Sequence, residues 1–256
     1  MIGKAIDYGK RGRVVVVPDT DALALAAAQL LRDSVREAVL DRGAAFIALS
    51  GGSTPKAMGA VLGALPMRDE VPWGSTHVFW SDERLVPLDD PESNAGEAMR
   101  GYLDSLPIAK RQIHPYLTTG SPEEAAELYE ETIRSVVPGR PVPMFDLILL
   151  GMGDDGHTAS LFPGTGALRI NSRLVVENQV DQLNSTRLTF TAPLINAART
   201  VAFLLAGSAK ASRLAEVLDG ERDIDRLPSQ LVRPSHGELI WLVDEAAAAN
   251  LARQAV

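Results

Sequence analysis

Asp154, Asp155 and His157 place two carboxylates and an imidazole within four consecutive residues, directly after an apolar run. That run, Phe145-Asp146-Leu147-Ile148-Leu149-Leu150, predicts a buried parallel strand. Gly151-Met152-Gly153 ends it, and glycine lets a backbone turn sharply and approach a ligand closely. Open α/β sheets bind ligands beyond the carboxyl ends of their strands, so this loop stands where substrates go. Histidine takes and returns protons near neutrality, which makes His157 the leading general-base candidate. Residues 151–156 also spell G-x-G-x-x-G. A dinucleotide site is rejected, because Pro163 and Gly164 arrive before a crossover helix can form and the two aspartates would repel a pyrophosphate.

Three other stretches suit an anion. A strand predicted over 44–49 runs into Ser50-Gly51-Gly52-Ser53-Thr54-Pro55-Lys56, with Thr54 as N-cap and Pro55 as first residue of a helix to about Leu65. The Gly51-Gly52 turn, the helix N-terminus and the hydroxyls of Ser50, Ser53 and Thr54 suit a phosphate, although an ordinary capped βα turn reads the same way. A strand over 76–80 ends in Ser81-Asp82-Glu83-Arg84. Arg84 can grip a phosphate bidentately, with Asp82 or Glu83 orienting it or bonding a sugar hydroxyl; the alternative is a surface ion-pair cluster. Lys210 falls in the first turn of a predicted helix, against the dipole, so either an anion lies beside it or it reaches for solvent.

The elements that must position these groups alternate along the chain. Strands are predicted over 13–17, 44–49, 76–80, 112–116, 145–150, 174–180, 188–191, 201–205 and 238–243. Helices are predicted between them, including 20–41, 94–103, 121–136 with a Ser121 capping box, 223–232 and an alanine-rich segment from Glu245. This pattern predicts one doubly wound α/β domain over 1–256, a mostly parallel sheet flanked by helices. Such a fold brings residues 50–54, Arg84, His157 and Lys210 to one rim.

Composition bounds the partners. A 256-residue chain that is 46% hydrophobic has ample core, and a net charge of -8 disfavours nucleic acid or an anionic membrane. There is no cysteine, no visible signal peptide and no apolar run long enough to span a bilayer, so a soluble cytoplasmic protein is expected. His77, His114, His157 and His236 are scattered without metal-ligand spacing, and no G-x-S-x-G elbow is present. A general base with water as nucleophile remains, acting on a small phosphorylated substrate; hydrolysis of an activated ester needs little more.

Taken together, these motifs resemble the 6-phosphogluconolactonase family, of the branch related to glucosamine-6-phosphate deaminase. The resemblance rests on residues 49–55, on Trp80-Ser81-Asp82-Glu83-Arg84 with Ser93-Asn94 downstream, on 151–163, on 187–199 and on 207–210. It implies a ribose-phosphate isomerase/glucosamine-6-phosphate deaminase-like fold and hydrolysis of 6-phosphoglucono-1,5-lactone in the pentose phosphate pathway, with no cofactor and no required metal. It further implies that His157 activates water and that Asp155 orients substrate or His157. Arg84 and Lys210 are implied as phosphate ligands, Gly51, Gly52, Ser53 and Thr54 as loop contacts, and Arg199 as a further substrate-side arginine. The deaminase pattern carries an acid just before the proline where this chain has Phe162, which favours the lactonase. A regulatory sugar-phosphate sensor is disfavoured because the chain starts almost at its first strand, without room for a helix-turn-helix. Oligomeric state is not fixed by the sequence, with a monomer slightly favoured.

Overall fold

The computed structural model describes residues 4–139 and 141–253. β1 (Lys4–Asp7) and β2 (Arg13–Val17) form an edge hairpin, the first strand of which the sequence patterns did not reveal. Asp19 caps α1 (Thr20–Arg42) by accepting from the Ala22 N–H, and Gly43 closes it in the left-handed region. β3 (Ala45–Leu49), α2 (Ser53–Gly63), the short α3 (Met67–Glu70) and β4 (Thr76–Trp80) follow. Next come β5 (Asp82–Arg84), α4 (Asn94–Gly101) and α5 (Pro122–Val136), the last opened by the capping box at Ser121 and Glu124. The second half comprises β6 (Leu147–Leu150), β7 (Val175–Val180), β8 (Ser185–Phe190), α6 (Ala192–Asn196), β9 (Thr200–Leu205), α7 (Ala211–Asp219), β10 (Glu238–Asp244) and α8 (Glu245–Ala248).

Seven strands form one sheet in the order β1-β2-β10-β9-β6-β3-β4, parallel throughout except for the β1–β2 hairpin. The expected mostly parallel, helix-flanked sheet is present. β6 reads Leu-Ile-Leu-Leu with every side chain buried, as a strand covered on both faces must. A second sheet, β5-β8-β7, is antiparallel and short. One hydrophobic cluster reaches both sheets, through Leu149 and Phe203 in the first and Leu188 and Phe190 in the second.

Several expected elements differ. Residues 112–116 form no strand; Ile113 makes only an isolated bridge to Val78. The helical piece expected over 223–232 shrinks to a 3-10 turn, Pro228–Leu231, and the closing helix to α8. Among the described residues no helix is long and apolar enough to cross a membrane.

His77 on β4 and His114 share a 3.0 Å Nδ1–Nε2 contact and stack beside Phe46 and Phe79. Burial, then Arg111, holds the His77 pKa below its ordinary value; burial, then His77, lowers that of His114 to about 4. Both rings are easier to protonate in the unfolded chain than in the fold, so their contribution to stability is complete above roughly pH 6.5 and is lost as pH falls below it. Thermal unfolding followed by circular dichroism should therefore show a midpoint that drops as pH falls from about 6.5 to about 4, and His114→Gln should flatten that drop.

Candidate active site

The winding of the main sheet reverses between β3 and β6. β3 leads on to β4 at one flank, whereas β6 leads to β9 and β10 at the other. The crevice beyond the carboxyl ends of two such strands is where open sheets take ligands. A cavity of about 210 Å³ opens there. Ser50, Gly51 and Gly52 after β3, Asp82 and Arg84 of β5, and Asn94 line one part of it; Gly151, Met152, Gly153, His157 and Ala159 after β6 line the other.

His157 is fixed on several sides. Its Nδ1 lies 2.6 Å from Asp155 Oδ1, and its backbone N–H donates to the same oxygen at 3.0 Å. With Nδ1 engaged, Nε2 is the nitrogen left for proton transfer. Burial alone would raise the Asp155 carboxyl, but the hydrogen bonds from the His157 ring and backbone outweigh it and hold the group below its ordinary range. Gly153 makes the arrangement possible: a Cβ there would stand 2.1 Å from His157 Nδ1 and 2.7 Å from Asp155 Oδ1. Asp155, not Asp154, is thus the aspartate that meets the imidazole. Asp154 points to Lys210, whose ammonium donates to it, while Arg213 donates to the Asp154 carbonyl at 2.7 Å.

The following residues are pinned to the second sheet. Ser160 donates through Oγ to Asp82 Oδ2 at 2.8 Å and through its N–H to Thr189 Oγ1 at 3.1 Å. Asn178 Nδ2 donates to the Ser160 carbonyl at 2.8 Å, and Thr158 Oγ1 to the Gly151 carbonyl at 2.9 Å. Between these anchors Ala159 is held at φ 47°, a left-handed conformation that costs a non-glycine residue energy and persists only where neighbours dictate it.

The loop after β3 and the segment around Arg84 are built differently from expectation. Gly52, at φ 110°, is the N-cap of α2 and no side chain caps the helix. Ser53 and Thr54 therefore lie inside the first turn, Thr54 is not the cap, and the N–H groups of that turn have no intrahelical acceptor. Neither Asp82 nor Glu83 pairs with the Arg84 guanidinium, which donates instead to the Glu92 carbonyl. Glu83 is buried and accepts four hydrogen bonds: from the N–H groups of Arg84, Asn94 and Ala95 at 2.9, 2.7 and 2.8 Å, and from Ser93 Oγ at 3.1 Å. Burial still raises its pKa above the ordinary value.

Arg187 was not singled out as a site residue. It lies directly opposite Arg84 in the β5–β8 register, and its Nε is buried without a hydrogen-bond partner. Burial, then repulsion from Arg84, lowers its pKa. The two guanidinium groups thus stand close together, with the carboxylates of Asp82, Glu92 and Glu83 acting on Arg187 in the opposite sense.

Arg199 requires correction. It immediately precedes β9, so it lies at the amino end of the sheet, opposite the cavity. There its Nε stands 3.4 Å from the buried carboxylate of Asp146, which Arg42 also holds at 3.0 Å. Among the described residues, no group of three or more His, Cys, Asp or Glu side chains is arranged to hold a metal ion.

Residues 18–241 match the family described as glucosamine-6-phosphate isomerases/6-phosphogluconolactonase. A 6-phosphogluconolactonase of Synechocystis sp. is 46% identical over 220 residues, covering 85% of this chain and 89% of the relative. The solved 6-phosphogluconolactonase of Trypanosoma brucei superposes with a TM-score of 0.82 at 28% identity, over 93% of this chain and 98% of that one. A crystal structure described as devB protein does so at 0.84 and 32%, over 93% and 99%.

Gly153→Ala tests the packing around the imidazole. The atoms a Cβ would strike belong to side chains that can move, so the fold should persist with an unfolding midpoint within a few degrees of the parent. A crystal structure of the variant should show the Nδ1–Asp155 contact broken.

Proposed function

The chain belongs to the family of glucosamine-6-phosphate isomerases and 6-phosphogluconolactonases, and from that membership we propose that it hydrolyses 6-phospho-D-glucono-1,5-lactone to 6-phospho-D-gluconate, a step of the pentose phosphate pathway, as one lactonase domain. The observation that carries the reading is the His157–Asp155 pair on a cavity whose other side holds Arg84 and the uncapped start of α2. The phosphate is taken by the N–H groups of the Gly51–Thr54 turn and by Arg84 and Lys210. This places the ring ester toward His157.

His157 Nε2 then removes a proton from water as the water oxygen attacks the lactone carbonyl. The resulting imidazolium is stabilised by Asp155, which also fixes the tautomer with Nδ1 protonated. Collapse of the tetrahedral intermediate breaks the bond to the ring oxygen, which receives the proton back from His157. One water is consumed, and the product carries a new carboxyl and a new hydroxyl. The acidic net charge supports a small metabolite rather than nucleic acid as partner, and the reading sets the reaction in the cytoplasm.

Generating the lactone with glucose-6-phosphate dehydrogenase and following 6-phosphogluconate formation, against an enzyme-free control, should show clear acceleration; ammonia released from glucosamine 6-phosphate instead would overturn the assignment. His157→Ala is expected to lower kcat by roughly 10²–10⁴-fold with ligand affinity retained. Arg84→Ala and Lys210→Ala should raise KM about tenfold, the loss of one charge-assisted contact. Arg199→Ala should leave both parameters within about twofold, because the residue stands at the other end of the sheet.

A further inference from the structure

Phe162 is buried, at 7% exposure, yet among the described residues it stands outside the hydrophobic cluster that unites the other large apolar side chains. Its aromatic partner is the imidazole of His157: the two ring centroids are 4.0 Å apart and the planes are inclined by 24°. The backbone beneath it is fixed. Thr165 donates to the Phe162 carbonyl through Oγ1 at 2.8 Å, and the Leu161 N–H donates to the Thr158 carbonyl at 2.9 Å. Five residues after His157 the chain has therefore turned back to lay an aromatic face on the base.

We propose that Phe162 is a positioning residue for the base in the hydrolysis proposed above: its ring fixes the plane of the His157 imidazole and favours the cation formed when Nε2 takes the proton of the attacking water. The first effect is steric. Asp155 fixes one edge of the imidazole through Nδ1, but a single hydrogen bond leaves the ring free to rock about that contact. A flat apolar surface at stacking distance removes this freedom, and the absent side chain of Gly153 leaves space on the Nδ1–Cε1 side. The second effect is electrostatic. The face of a phenyl ring carries negative charge density and attracts a cation placed over it. Before proton transfer the imidazole is neutral and gains little from this; afterwards it is cationic and gains more. The contact is thus stronger toward the transition state than in the ground state, so it acts on kcat rather than on KM.

The test compares Phe162→Leu and Phe162→Met, which keep apolar volume without a ring, with Phe162→Tyr, which keeps the ring face. Lactone hydrolysis reads the function, and the ¹H NMR position of the His157 ring protons, assigned by their loss in His157→Ala, reads the stack independently of any substrate. Leu and Met should each lower kcat about tenfold with KM within about twofold, and should abolish the upfield ring-current displacement of the His157 protons. Tyr should preserve both. Unchanged kcat in a folded Leu or Met protein overturns the proposal, as does a rise in KM matching the fall in kcat/KM. His157 signals that do not move in Leu or Met overturn it whatever the parent enzyme hydrolyses, whereas a parent that fails to accelerate lactone opening overturns the assigned reaction and leaves the ring contact to be judged by NMR.

Discussion

A carboxylate taken out of water must have its oxygens met by donors, or the fold around it fails. Glu83 is such a group, and the cavity wall formed by Asp82, Arg84 and Asn94 is built on satisfying it. One oxygen holds the backbone of Arg84 and the first residue of α4; the other holds Ser93 and Ala95. These bonds tie β5 to the start of α4, and Arg84 and Asn94 on either side of the tie both line the cavity. Two of the four donors are N–H groups of the first turn of α4, so the helix supplies what a countercharge would otherwise have to supply.

Much of this was legible in the chain. The all-apolar run of β6, the glycines after it, and the polar ends of β3 and β4 together point to a parallel sheet and to the end of it where the cavity opens. The motifs over residues 49–55, 151–163 and 187–199 carry the family resemblance without any geometry. What escaped was set by non-local pairing. β5 has only three residues, all charged, and is a strand because β8 lies beside it. Arg187 comes to stand opposite Arg84 for the same reason, through the β5–β8 register alone. The sequence signal for it is the polar–apolar alternation of Arg187-Leu188-Thr189-Phe190-Thr191.

Arg199 shows the converse. A motif-level resemblance placed it on the substrate side, yet a residue just before a parallel strand lies at the end opposite the ligands. Strand direction, readable from the sequence, was the better guide. The cap of α2 was misplaced by a similar shortcut: Thr54-Pro55 reads as cap and first residue, but a glycine with positive φ begins the turn earlier and leaves its N–H groups uncapped.

The ion pair between Lys210 and Asp154 ties the segment after β9 to the loop after β6. Arg213 adds a second tie by donating to the Asp154 carbonyl. Two neighbouring acids of one loop are in this way divided between different bases, Asp154 to the ammonium and Asp155 to the imidazole, so proximity in the chain does not make them interchangeable.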